Sequence, residues 1–365
     1  MTIGPQKYPP RRRRGLRIAA TTLGLTLALL WLGALIFWFR SSSGEPLISP
    51  PLPSPNGFDD VLKAGRAIDK AYPVVNNSVL DADTAETPAL RDYVEKNKEA
   101  LALIRQGLDR EFQAPVTYDM DIMVREMNDA GVIRTRSGRT LYAEGVLARR
   151  DGRFADSSRA FVDLLRLGAA MSRKVPLMAY LASLAPQTLG VMGLRELRGD
   201  LDADQLRALV TILKKLDDDR EPIKDVTGRE LAFVNQNISK SGIWMSTALT
   251  LSGNARATRR QVVDQLAQAE NHARVTQRLL IADLAVQLYF KEHGKYPTTL
   301  DAVTPILPTD PYSPTNRPFV YRLSEGEIGY QLYSVGPDGD DDRLDPPLGK
   351  RFTEKSNGDF TLDSR

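Results

Sequence analysis

The chain has 365 residues, 42% of them hydrophobic and 26% charged, which excludes a mainly disordered protein and suits two or three globular units. Its net charge of +3 is unevenly spread. Lys7, Arg11, Arg12, Arg13, Arg14, Arg17 and Arg40 all precede the first acid, Glu45, and beyond them 42 basic residues face 46 acidic ones, so the bulk of the chain is slightly acidic and gives no argument for nucleic-acid binding. No cysteine is present, which removes disulfides, thiolate metal sites and thiol nucleophiles, and the only histidines, His272 and His293, leave little for zinc or Ser-His-Asp chemistry.

In chain order, a basic cytoplasmic tail is expected over 1–17, followed by 22 uncharged residues from Ile18 to Phe39. At 1.5 Å per residue that run covers a hydrocarbon core of about 30 Å. The arginines before it place the N-terminus in the cytoplasm, with Trp31, Phe37, Trp38 and Phe39 at the outer interface. The competing reading is a cleaved signal peptide, whose apolar region is usually shorter, about 7–15 residues. Residues 40–57 hold a proline-rich segment, GEPLISPPLPSPNG, that reads as a stiff spacer. A single-pass protein of a bacterial inner membrane is therefore expected, its body in the periplasm.

Residues 58–253 show apolar recurrence at helical spacing and predict six or seven packed helices. Leu90, Val94, Asn97, Leu101, Ile104, Leu108 and Phe112 form a stripe read as one helix. Leu206, Leu209, Leu213 and Leu216 mark another, with Asp202 as its N-cap and the run Asp217, Asp218 and Asp219 as its solvated end. Glu144 to Gly168 predicts two helices around an Asp151-Gly152 turn. Gly145, Gly152, Phe154 and Phe161 match tetratricopeptide offsets, although Ser157 stands where alanine is usual, so both a TPR-like unit and an ordinary αα-hairpin fit. Neither phosphate-binding nor nucleophile or metalloprotease motifs occur, and no acid in this region sits on an apolar face in a way that marks a perturbed carboxylate pair.

Residues 254–365 begin with a long helix having one buried face, carried by Val262, Leu266, Ala269, Ala273, Leu280, Leu284 and Leu288 and closed by Gly294. Thr298 with Asp301 predicts a capped short helix, and a loop containing Pro305, Pro308, Pro311, Pro314 and Pro318 follows. Phe319 to Leu323 and Ile328 to Val335 predict a β-hairpin, with Asp359 to Leu362 as a third strand. The expected fold class is thus mainly α with a small α+β C-terminal domain: one transmembrane helix, a helical bundle or TPR-like middle, and a long helix leading into a small antiparallel sheet.

The order of three segments carries a resemblance. The helix end Leu288 to Leu300, then Leu307-Pro308-Thr309-Asp310-Pro311-Tyr312, then Tyr333-Ser334-Val335-Gly336-Pro337-Asp338-Gly339 resembles the globular domain of the type II secretion major pseudopilin over about 85 residues. The resemblance implies calcium in the loop after the hairpin, with Asp338 and Asp345 as side-chain ligands and the Val335 carbonyl nearby. Asp340 and Asp342 add oxygen ligands of the kind Ca²⁺ takes. The alternative is a solvated acidic turn. The N-terminus departs from that family, since no acid follows Gly15 before Glu45, which implies a borrowed domain rather than a filament subunit. The function expected is that of a non-enzymatic, membrane-anchored envelope protein with protein partners. The alternatives are an accessory component of a secretion or pilus-like system and a hydrolase working through carboxylates.

Overall fold

The computed structural model describes residues 48–68, 83, 85–117, 120–240, 254–303, 307–324, 326, 329–344 and 358–362. The segment expected to cross the membrane, 18–39, lies outside the described residues, as do 241–253 and Asp345. The described part is mainly helical and ends in a three-stranded antiparallel sheet.

The spacer enters the folded body at Asn56. Its buried side chain accepts from Phe58 N and Gln113 N, both at 3.1 Å, and donates to the Gln113 carbonyl at 2.9 Å. This cap starts α1 (Gly57–Ala67). The helices α2 (Thr87–Lys96) and α3 (Lys98–Leu108) follow, and α1 lies against α3 where Gly57 meets Gly107. A Cβ on Gly107 would stand 2.6 Å from the Gly57 carbonyl oxygen, so only glycine permits this approach.

The single helix expected across Leu90 to Phe112 is in fact two. Asn97 turns its Nδ2 back to the Tyr93 carbonyl at 2.8 Å, its backbone leaves helical geometry, and the chain restarts at Lys98. Phe112 lies beyond α3 and meets the Phe58 ring edge-on at 5.8 Å.

Next come α4 (Met120–Val132), a π-helical turn at Ile133–Ser137, and α5 (Gly138–Arg150). After the left-handed Gly152 the chain forms α6 (Phe154–Met171), confirming the expected pair of helices, and then α7 (Leu177–Leu197). The helix α7 is long and apolar enough to cross a membrane, but more than half of it is buried among its neighbours, as a core helix is. Three glycines allow α6 and α7 to close on each other: Gly168 faces Gln187 and Ser183, Gly190 faces Leu165, and Gly193 faces the Phe161 ring.

The helix α8 (Ala203–Asp218) opens on the expected Asp202 cap, completed by Gln205 as a capping box. It is followed by α9 (Ile223–Lys240) and then α10 (Asn254–His293). The expectation of one buried face on α10 needs correcting. From Leu279 to Val286 every residue is buried, because the helix runs between α8 and α7 on one side and the sheet on the other. Each large apolar side chain buried there contributes roughly 1.5–3 kcal/mol. Gly294 ends α10 with φ +70°, as its position predicts.

A 3₁₀ turn at Leu300–Ala302 replaces the expected short helix, and no side chain caps it. The strands β1 (Val320–Leu323), β2 (Tyr330–Ser334) and β3 (Phe360–Thr361) pair in the order β1-β2-β3, with Tyr321 opposite Leu332 and Ser334 opposite Phe360. The core is continuous from Phe58 to Leu362, so α10 and the sheet share one apolar interior with the helices before them.

Candidate functional site

Two polar regions stand out, one on the outer face of the sheet and one inside the helices. On the sheet, β-strand alternation sends Tyr330 toward α10 and Tyr333 to the opposite face. Tyr333 OH donates to Asp341 Oδ1 at 2.8 Å, and the Arg322 guanidinium reaches Asp341 Oδ2 at 2.6 Å while lying over the Tyr333 ring. The amide of Arg343 adds a bond to Asp341 at 3.0 Å. Burial works to raise the Asp341 carboxyl, but the hydrogen bonds from Tyr333 and the Arg343 amide and the charges of Arg322 and Arg343 hold it below the usual carboxylate range.

Asp359, just before β3, accepts from the amides of Leu344 at 2.7 Å and Asp342 at 3.4 Å. It thereby supports Arg343 and Leu344, both left-handed at φ near +60°. Burial pushes the Asp359 carboxyl up, and the charges of Asp341 and Asp342 add to the rise.

The residues singled out for calcium fall along this loop. Asp338 and Asp340 are exposed, and the Asp340 amide donates to Asp338 Oδ1 at 3.3 Å. Asp342 is half-buried, its amide held by Asp359. The Val335 amide donates to Asp310 Oδ2 at 3.0 Å, and Asp345 lies outside the described residues. Among the described residues, no three acidic or histidine side chains gather closely enough to hold a metal ion. The donor set is nevertheless all oxygen, which suits a hard cation.

Sequence reasoning chose none of Asp310, Asp341, Asp359, Arg322 or Tyr333 as a site residue. Asp310, nearly inaccessible, ties the proline loop to the sheet through Ser334 Oγ at 2.8 Å and the amides of Tyr312 and Val335. Its place in the Leu-Pro-Thr-Asp-Pro-Tyr segment was the only signal.

Inside the helices, the reading of Asp217 as part of a solvated helix end needs correcting. Asp163, Asp217 and Glu270 are buried. Asp217 stands four residues after Leu213 on the same side of α8, so it faces α10 instead of solvent. There it accepts from Arg274 at 3.2 Å and Arg278 at 2.8 Å. Asp218 and Asp219 do lie outward, paired with Lys214 and Lys215. Glu270 accepts from Tyr180 OH at 2.6 Å and from Arg220 at 3.3 Å, and burial together with the Glu270 charge pushes the Tyr180 hydroxyl well above its ordinary value. Asp163 is held by Arg105 and Arg166.

An open depression of about 380 Å³ lies between the α5–α6 turn and the start of α8. Two of the carboxylates lining it are engaged in local structure, Asp156 with Arg153 and Asp202 as the α8 cap, while Asp200 is exposed. Asp163, Asp217, Glu270, Asp310, Asp341 and Asp359 thus serve arginines, hydroxyls and backbone amides. No family model, no curated protein and no solved structure matches the chain.

Proposed function

We propose that this chain is a non-enzymatic scaffold of the bacterial envelope, anchored in the inner membrane by residues 18–39, with a periplasmic body that binds other proteins. The observation that carries the proposal is the disposition of charge. Buried acids at Asp163, Asp217 and Glu270 are neutralised by Arg105, Arg220, Arg274 and Arg278 in joints between helices, a use of charge that fixes architecture.

Two finer features belong to the same reading. The α5–α6 hairpin is TPR-like in its contacts, since Gly145 lies under the Phe161 ring and Ser157 Oγ donates to the Gly145 carbonyl at 2.7 Å. The C-terminal sheet with its acidic loop is pseudopilin-like, with calcium held by Asp338, Asp340, Asp342, Asp345 and the Val335 carbonyl. A cation there would offset the charges of Asp341 and Asp342, which add to the rise that burial imposes on Asp359. A secretion-linked role follows if that loop binds calcium.

Fractionation and protease accessibility of the full chain in bacterial cells test the anchor. Retention in the inner membrane, with the body cut only after the outer membrane is opened, is the expected result, and a soluble cytoplasmic protein refutes it. Thermal unfolding in calcium and in chelator tests the loop, because a ligand that binds only the folded state raises the midpoint. Calcium is expected to raise it, and Asp338→Ala with Asp345→Ala to remove the rise; an unchanged midpoint sinks the calcium site.

A further inference from the structure

Asn56 and Gly57 form the dipeptide most prone to lose a side-chain amide, because glycine offers its backbone nitrogen to the preceding carboxamide with no side chain in the way. The fold demands each residue for a separate reason. A carboxamide can accept from the Phe58 and Gln113 amides while donating to the Gln113 carbonyl. Only glycine fits beside α3, since a Cβ on Gly57 would lie 2.1 Å from the Gly107 carbonyl oxygen. The reactive pair is thus built in, and the same contacts hold it shut. The Gly57 amide donates to the Glu111 carbonyl at 2.9 Å, the Asn56 carboxamide is fixed by its bonds to Phe58 and Gln113, and Asn56 is only 5% exposed. Bringing the carboxamide carbon onto the Gly57 nitrogen requires those bonds to be given up.

We propose that Asn56 is a deamidation site gated by the contact between α1 and α3, closed while α1 is seated and reactive once it lifts. In the open state the Gly57 nitrogen gives up its proton and attacks Asn56 Cγ. The new N–Cγ bond forms, the Cγ–Nδ2 bond breaks, and Nδ2 leaves as ammonia with that proton. Water then adds to either carbonyl of the imide ring and opens it to aspartate or isoaspartate. Neither product restores the original contacts. Aspartate still accepts from Phe58 but has no hydrogen for the Gln113 carbonyl, and it sets a buried negative charge beside that oxygen. Isoaspartate adds a carbon to the backbone ahead of Gly57 and moves its amide away from Glu111. The reaction is therefore one-way, and it leaves α1 held less tightly than before.

The test follows the Asn56 peptide by mass spectrometry in the full chain, kept in detergent at mildly alkaline pH with and without guanidinium. Unfolded, Asn56 and Asn357, which also precedes glycine, should lose their amides at similar rates. Folded, Asn56 is expected to react at least about tenfold more slowly than in guanidinium, because the rate scales with the fraction of time the contact stands open. Gly107→Ala, whose Cβ would stand 2.6 Å from the Gly57 carbonyl oxygen, is expected to raise the folded-state rate. Asn56→Asp, which imitates one product, is expected to melt at a lower temperature than the unaltered chain. Equal rates in the folded and unfolded chain overturn the proposal, as does a folded-state rate that Gly107→Ala leaves unchanged, and an undiminished midpoint in Asn56→Asp overturns its one-way step. Should Gly107→Ala fail to fold, the comparison of the unaltered chain with and without guanidinium decides.

Discussion

Phe161 is gripped by glycine on both sides. An added Cβ would stand 2.5 Å from its Cε1 at Gly145 on α5 and 2.4 Å from its Cδ1 at Gly193 on α7. In a helix interior glycine is about 1 kcal/mol worse than alanine, so Gly193→Ala ought to stabilise on propensity alone. Overpacking decides the sign instead: the variant is expected to lose about 1–3 kcal/mol in urea denaturation, and an unchanged or higher stability would show that the helices part freely. Glu230 gives a second prediction at this scale. Its carboxyl accepts the Leu177 amide at 3.1 Å, and burial raises its pKa above the ordinary 4.5. A raised folded value means that its contribution is complete below that ordinary value and is lost as pH climbs through the folded one. Glu230→Gln keeps an oxygen for Leu177 and cannot ionise, so its thermal midpoint near neutral pH should match or exceed that of the unaltered chain, with a shallower fall from acid to neutral. Midpoints with parallel pH profiles reject this.

Among the elements, those fixed by strong local chemistry were legible in the sequence. The Asp202 cap, the turns at Gly152 and Gly294, and all three strands stand where turn residues and alternation place them. The errors share a cause, which is that periodicity reports which face is buried but not how many neighbours bury it. Asn97 fits the α2–α3 stripe by spacing while its side chain ends the helix, and Leu279 to Val286 look one-sided until the sheet covers the other side. Acidic residues mislead for a related reason. Asp217 in a run of three aspartates reads as solvated, yet the arginines that bury it, Arg274 and Arg278, lie more than fifty residues away on α10. In the acidic loop, the residues that organise the turn, Asp341 and Asp359, differ from those chosen as ligands, because their partners are brought together only by strand pairing. The Glu270 joint gives a prediction for α10. Glu270→Ala strands a buried arginine and is expected to cost about 3–5 kcal/mol by denaturant unfolding, whereas Arg220→Met combined with Glu270→Leu should cost less than Glu270→Ala alone. A double variant that is worse than the single one rejects the view that the pair serves architecture.

For the whole molecule, the single core running from Phe58 to Leu362 joins segments whose composition suggested separate units. Arg195 on α7 donates to the Leu362 carbonyl at 3.2 Å, and Arg278 on α10 to the Thr309 carbonyl at 2.8 Å, so the sheet is attached at several points besides the chain itself. Truncation before α10 would uncover Leu209 and Leu213 and leave Arg220 without Glu270. Residues 1–253 alone are therefore expected to lack a cooperative thermal transition, whereas a sharp transition like that of the full chain would establish two independent domains.

Asn56 also sets how the body responds to mechanical load. Tension along residues 48–55 arrives at one side chain and is passed by its bonds to Gln113 and Phe58, and by the bond from the Gly57 amide to the Glu111 carbonyl, into the loop after α3. Force is thus shared between two distant stretches of backbone before any helix is stretched. If the spacer is pulled by a moving membrane or by a partner, those few bonds set the threshold at which α1 peels away.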